Sequence, residues 1–248
     1  MPSVDIVIPV LNEEQQLRWS INTLSEFCRK DLSGYDWRII VADNGSTDGT
    51  RPVSEKLARA IPGVSYLYIP QRGRGLALRT AWLASNADFL SYMDVDLSTR
   101  LEAFPKMLRA LQEGYDVAIG SRLQRGSKVT RSLKREVISR CYNVMIKAMF
   151  FVPFNDAQCG FKMVSRRAAR ALVPLIQNNH WFFDTELLII ASKRGFKIKE
   201  VPVEWVDDPD SRVKVVKTAW EDIKGLLRLR FGGIPRTSDT LAQETPKT

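Results

Sequence analysis

The sequence predicts an α/β fold, a mixed and mostly parallel sheet flanked by helices. Two observations lead there. Short apolar runs alternate with helical patterns across roughly the first 120 of 248 residues, as successive strand–helix–strand units do. Several of those runs end in polar or acidic residues, which suits strands whose carboxyl ends form a ligand rim. A hydrophobic fraction of 44% supplies a substantial core and excludes a chain disordered throughout.

Residues 4–10, Val-Asp-Ile-Val-Ile-Pro-Val, read as a first strand, and 13–29 as a helix. A second strand covers 37–42 and ends at Asp43. Thr47-Asp48 caps a helix running to about residue 61. Strands follow at 64–69 and 87–93, separated by a helix over 75–86. A helix over 101–113 and a strand over 115–120 complete the regular half. Beyond it, Leu133, Val137, Cys141, Val144, Met145, Ala148 and Val152 fall on one ~120° arc of a helix. That stripe is explained either by core packing or by a membrane-facing surface. Residues 160–164 look hairpin-like, 166–176 and 184–194 helical, and 196–205 alternate as one strand. A last helix near 213–229 puts Val215, Ala219, Trp220, Ile223, Leu226 and Leu227 on one side, with Lys217, Lys224 and Arg228 opposite. From residue 233 the composition turns polar, as in a flexible tail.

Three widely spaced cysteines, Cys28, Cys141 and Cys159, give neither a zinc pattern nor a disulfide framework, so a reducing cytosol is expected. The formal charge of +9 calls for an anionic partner. Eight basic residues and one acid, Glu136, lie between Arg122 and Lys147. No signal peptide is apparent and no apolar run approaches the ~20 residues of a spanning helix. Peripheral attachment is therefore the expected relation to a membrane.

The strand at 87–93 runs into Asp94-Val95-Asp96. Two carboxylates one residue apart at a sheet edge offer hard oxygen ligands suited to Mg²⁺ or Mn²⁺ with a diphosphate. Pro9-Val10-Leu11-Asn12-Glu13 and Asp43 fall at neighbouring strand ends, so three separate segments converge on one rim. Arg72-Gly73-Arg74-Gly75 lacks the ending of a P-loop and is not a dinucleotide fingerprint.

Taken together, Ile6 to Glu14, Val41 to Thr50, Arg72 to Ala77 and Met93 to Asp96 resemble the family 2 glycosyltransferases of the GT-A fold. In the second half, Gly120-Ser121-Arg122, Asp156 to Lys162, Trp181 to Leu187, Val201-Pro202-Val203 with Trp205, and Asp210 to Val213 are similar to the polyprenyl-phosphate glycosyltransferases, the dolichyl-phosphate glucose and mannose synthases. The resemblance implies a single domain over 1–232. Its nucleotide-binding half is about 1–122 and its acceptor-binding half about 123–232, with the tail over 233–248. The implied reaction is inverting transfer of a hexose from UDP-glucose or GDP-mannose to a polyprenyl or dolichyl phosphate. The protein would be peripheral on the cytoplasmic face of a membrane, where a membrane-protein partner is an alternative anchor.

The same resemblance assigns roles. Asp94 and Asp96, with Ser98, would hold the metal that bridges the donor diphosphate. Asp43 would accept a hydrogen bond from uracil or guanine, Pro9 and Leu11 would line the base pocket, and Glu13 would lie near the ribose. Arg74, Val95 and Arg212 would border the nucleotide. Arg122, with Arg131 or Arg135, would hold the acceptor phosphate by forked hydrogen bonds. Asp156, Gln158, Asp184 and Glu186 form a second polar set. Asp184 and Glu186 are read as organising or sugar-contacting, because a lipid phosphate is already anionic and needs no base. Two other readings are weighed: a soluble family 2 enzyme acting on a sugar hydroxyl with a carboxylate base, and a nucleic-acid or anionic-surface binder. The ordered rim motifs argue against a nucleic-acid partner.

Overall fold

A computed structural model describes residues 1–206 and 215–235. The expected tail beyond residue 235 and Arg212 lie outside the described residues. Seven strands form the main sheet: β1 (Ser3–Val10), β2 (Asp36–Asp43), β3 (Val64–Tyr68), β4 (Phe89–Met93), β5 (Val117–Ser121), β7 (Phe161–Ser165) and β8 (Ile198–Pro202). Their order is β3-β2-β1-β4-β7-β5-β8. Every pairing is parallel except those of β7, which runs antiparallel to both β4 and β5. β6 (Lys128–Thr130) and β9 (Glu204–Val206) make a separate parallel pair.

The helices are α1 (Glu14–Asp31), α2 (Thr50–Ala60), α3 (Arg74–Leu83), α4 (Phe104–Gln112), α5 (Leu133–Phe150), α6 (Arg166–Leu172), α7 (Phe183–Lys193) and α8 (Val215–Gly232). They cover both faces of the sheet. Strand periodicity divides the core accordingly. Val7 of β1 joins the cluster with Ala77, Tyr92, Leu172 and Leu187, while Ile6 and Ile8 join the opposite one with Leu17, Leu57 and Phe104.

The structure departs from the sequence reading in three places. The hairpin expected at 160–164 is instead strand β7, inserted between β4 and β5. Its apolar residues are buried because both neighbours pair with it. The strand expected over 196–205 divides at Val203 into β8 and β9, which belong to different sheets. The last helix does not bury its whole apolar side. Leu226 and Leu229 face the core, but Trp220, Leu227 and Phe231 are exposed.

The two explanations of the 133–152 stripe are also separated. α5 buries Ser139, Tyr142, Asn143, Ile146 and Phe150. Leu133, Val137, Ile138, Cys141 and Val144 point outward, Leu133 being 84% exposed, and Phe151 beyond the helix is 82% exposed. Core packing accounts for Val152, which is buried, and for Met145, which packs against the core, but not for the outward residues of the stripe. Among the described residues no helix is long and apolar enough to cross a membrane.

Candidate active site

Strands β1 to β5 and β8 point the same way, so the residues that end them meet at one edge. Val10 pairs with Asp43 at the tips of β1 and β2, and Met93 ends β4 beside them. Beyond Met93 the chain turns at once. Leu97 adopts a left-handed φ of 48°, and its N–H donates to the Asp94 carbonyl at 3.1 Å. The Ser98 N–H donates to Asp96 Oδ1 at 2.9 Å, while its carbonyl accepts from Val206. Ser98 thus fixes the second carboxylate through its backbone. The Val95 side chain packs towards the core and its carbonyl accepts from Ser20 Oγ.

Asp94 is backed by Gly160. A Cβ at that position would fall 1.7 Å from Asp94 Oδ2, so only glycine lets the segment after Asp156 pass behind the carboxylate. The Asp94 N–H in turn donates to the Gly160 carbonyl at 3.2 Å.

Arg74, in the first turn of α3, joins two acids. Its Nη2 and Nε donate to Asp94 Oδ1 at 2.7 and 3.2 Å, and its Nη1 donates to Asp184 Oδ2 at 2.7 Å. The guanidinium lies 4.8 Å from the ring centroid of Tyr92 and 5.0 Å from that of Trp181. Such flanking suits a weakly hydrated cation. Burial opposes its charge, but Asp94 and Asp184 outweigh it and hold Arg74 protonated.

Asp184 opens α7 and is buried. Besides Arg74 it accepts from the Tyr92 hydroxyl, and Lys162 Nζ lies 3.1 Å from Oδ1. Lys162 is fully buried in β7, directly opposite Tyr92 in the register, and its ammonium also donates to the Cys159 carbonyl at 2.7 Å. Burial alone would raise the Asp184 carboxyl, yet Lys162 and Arg74 hold it below the ordinary carboxylate range. The result is a buried cluster of Arg74, Asp184, Lys162 and Tyr92 with the half-exposed Asp94 at its edge.

The other expected residues divide. Arg122, at the end of β5, spends its fork on Asp156: Nε and Nη2 donate at 2.8 and 2.9 Å, and its backbone N–H donates at 2.9 Å. Against the cost of burial, Arg122 lowers the Asp156 carboxyl to about 2. The guanidinium also sits 5.4 Å from the Trp205 ring centroid. The fork expected to grip a phosphate is therefore closed on Asp156. Arg131 pairs with Glu136 at the start of α5, and Arg135 lies on the first turn of that helix. Glu186 is fully buried. It accepts from the backbone N–H groups of Gln177 and Asn178 at 3.1 and 2.9 Å and from Arg228 Nη2 at 2.7 Å. These bonds tie α7 to the backbone of residues 177–178 and to α8. Gln158 donates to Asp222 of α8.

On the nucleotide side, Asp43 is fully buried and accepts from the Ser46 N–H at 2.9 Å and the Tyr66 hydroxyl at 3.0 Å. Pro9 is buried in β1, and Leu11 and Glu13 are half-buried just past it. The Glu13 N–H donates to Thr50 Oγ1 at 2.8 Å, which ties the start of α1 to α2.

Tyr92, Lys162, Tyr66 and Asp222 were not singled out from the sequence. Two of them left a signal. Tyr92 precedes Asp94 by two residues and so shares its strand face. Lys162 is a lone charge in the apolar run Phe161-Lys162-Met163-Val164.

The donor chemistry of the rim fits a divalent cation. Asp94 and Asp96 supply hard oxygens on half-exposed side chains. Among the described residues no group of three or more His, Cys, Asp or Glu could cage a metal. Two such carboxylates suit Mg²⁺ or Mn²⁺, hard cations that can take further ligands from water and phosphate oxygens.

The family model "Glycosyl transferase family 2" matches residues 5–173. The chain belongs to glycosyl transferase family 2. It is a glycosyltransferase of the GT-A fold. Among relatives of this family, it is 35% identical over 229 residues to Glycosyltransferase AglD of Haloferax volcanii, covering 90% of this chain and 35% of that protein. It is 29% identical over 240 residues to Dolichyl-phosphate beta-glucosyltransferase ALG5C of Trichomonas vaginalis, covering 91% of this chain and 71% of the relative. Glucosyl-3-phosphoglycerate synthase from Mycobacterium tuberculosis, solved with UDP, shares the fold. Its TM-score is 0.71 at 21% identity, over 95% of this chain and 82% of that one. Other structures of that enzyme contain UDP with Mn²⁺ or Mg²⁺.

Proposed function

We propose that this glycosyltransferase moves a hexose from a nucleotide sugar to a polyprenyl or dolichyl phosphate, with inversion, at the cytoplasmic face of a membrane. The observation that carries this reading is the state of Asp184. A general base needs a pKa near the working pH and a free lone pair aimed at the acceptor. Asp184 is buried, accepts from Arg74 and Tyr92, and is held ionised by Lys162 and Arg74. It is a poor proton acceptor. A phosphate acceptor needs none, because its oxygen is already anionic. The names of the dolichyl-phosphate beta-glucosyltransferase relatives support the same acceptor and favour glucose over mannose, hence UDP-glucose over GDP-mannose.

In this reading Asp94 and Asp96 hold Mg²⁺ or Mn²⁺, which when bound stabilises the diphosphate leaving group. Arg74 orients Asp94 from below and keeps the site near neutral. Asp43, Pro9, Leu11 and Glu13 receive the nucleoside, and Arg212 adds positive charge for the donor phosphates. Arg131, Arg135 and the remaining Nη1 of Arg122 attract the acceptor phosphate, while Asp156 and Gln158 shape its approach. The outward apolar stripe of α5, flanked by exposed Lys134 and Arg140, supports contact with an anionic bilayer where that acceptor resides.

The test is a donor screen with polyprenyl phosphate and Mg²⁺ or Mn²⁺, reading products by mass spectrometry. A hexosyl-phosphate-lipid from UDP-glucose is expected. Absence of any sugar-phosphate-lipid across all common donors overturns the reading.

A further inference from the structure

The segment after α5 is gripped from several directions. Asn155 donates to Glu200 of β8 at 2.9 Å, and Asp156 closes on Arg122. The Ala157 N–H donates to Asn143 Oδ1 of α5 at 2.9 Å. The amide of Asn143 is itself fixed, since its Nδ2 donates to the Ser139 carbonyl. Gln158 Nε2 donates to Asp222 Oδ2 of α8 at 2.9 Å. Two residues later, Gly160 lies against the Asp94 carboxylate. The segment thus links the two helices with exposed apolar faces to the first acid of the rim.

Asp222 is an odd occupant of its place. It lies on the inward face of α8 in line with buried Leu226 and Leu229, and is itself only 2% exposed. Tyr142 and Gln158 favour its charged form, but burial and the neighbouring acids Asp184 and Glu221 oppose it. A leucine there would extend the apolar row at lower cost. The acid is explained by what it holds.

We propose that Asp222 is a positioning residue for donor binding: by accepting from Gln158 it fixes residues 158–160 and, through Gly160, the seat of Asp94. The inference rests on the donor–metal reading of Asp94. Gln158 reaches α8 with its side chain, while its backbone, whose N–H donates to Asp156 Oδ1 at 3.2 Å, runs on towards Gly160. Loss of the side-chain bond therefore removes the segment's tie to α8 and loosens it there. Asp222→Asn keeps an acceptor oxygen in place. Asp222→Leu keeps the volume and removes the acceptor. Gln158→Ala removes the donor from the other side.

The experiment is titration calorimetry of UDP with Mn²⁺ on the wild-type chain, the three single variants and the Gln158→Ala/Asp222→Leu double variant, with melting temperatures in parallel. Q158A and D222L should each weaken binding about tenfold, the cost of leaving one buried polar partner without its hydrogen bond. The double variant should be no weaker than the worse single, because both act through one bond. D222N should bind within about twofold of wild type, since the acceptor oxygen is retained. Wild-type-like binding by Q158A, losses that multiply, or D222N as weak as D222L overturns the proposal. Should D222L fail to fold, the Q158A and D222N results decide. If the wild-type chain itself does not bind UDP with Mn²⁺, the donor reading is what has failed.

Discussion

Lys162 and Gly160 show how single residues set the chemistry of the rim. Lys162 is a fully buried cation whose partners are an acid, a phenol and a carbonyl. Removing one partner of a buried ion pair leaves the other uncompensated, at a cost of several kcal/mol. Asp184 would retain Arg74, so Lys162→Met should cost ~3 kcal/mol, measured by urea unfolding, rather than the upper end of that range. A change below about 0.5 kcal/mol would mean that the cluster does not need its second cation. Gly160→Ala tests the opposite kind of residue, one that contributes by having no side chain. Its Cβ would collide with Asp94 Oδ2, so the carboxylate must leave its present position. Binding of Mn²⁺ with UDP should fall at least about tenfold in calorimetry, comparable to losing one charged ligand contact. Unchanged affinity would show that Asp94 is not the anchor.

At the scale of elements, the parallel half of the fold was legible because each strand is a short apolar run with its own helix. Asp94 and Asp96 could be read at a strand end for the same reason. β7 could not. Its five residues look like half of a local hairpin, and the pairing that makes them a strand is with β4, some 70 residues earlier, at Tyr92↔Lys162. The buried cluster around Asp184 depends on that pairing, so it was illegible for the same physical cause. The α5 stripe was visible in its periodicity, but periodicity gives a face and not what the face meets. The burial of Ser139, Asn143 and Ile146 decides it. Charge placed on the outward face should therefore spare the fold and weaken membrane contact. Val137→Glu with Val144→Glu should weaken cosedimentation with vesicles of polyprenyl phosphate and anionic lipid about thirtyfold, at ~1 kcal/mol per side chain. UDP binding should stay unchanged. Undiminished cosedimentation would assign the stripe to another partner.

Across the whole molecule, the buried acids pull stability in opposite directions as pH changes. Asp156 is depressed to about 2 because Arg122 holds it ionised against burial, so its contribution is present above the unfolded value near 3.8 and is lost as pH falls towards 2. Asp184 is also depressed and acts in the same sense. Asp222 is the reverse case. Burial, then Asp184 and Glu221, raise it from 3.8 to about 7, so between those values the folded chain holds a proton that the unfolded chain has released. Stability from this group is complete below pH 3.8 and declines as pH rises to about 7. The decline is ~4 kcal/mol at most, at 1.36 kcal/mol per pKa unit. Asp156 and Asp184 have lost nothing by pH 5, so the Asp222 effect stands alone between pH 5 and 8. Asn at this position keeps the acceptor oxygen and carries no charge. The melting temperature of Asp222→Asn relative to wild type should therefore increase from pH 5 to pH 8, by several degrees for a chain of this size. A constant difference would mean that Asp222 does not titrate in the folded protein across that interval. The charge on the inward face of α8 would then be fixed, and the helix would hold Gln158 with the same strength at every working pH.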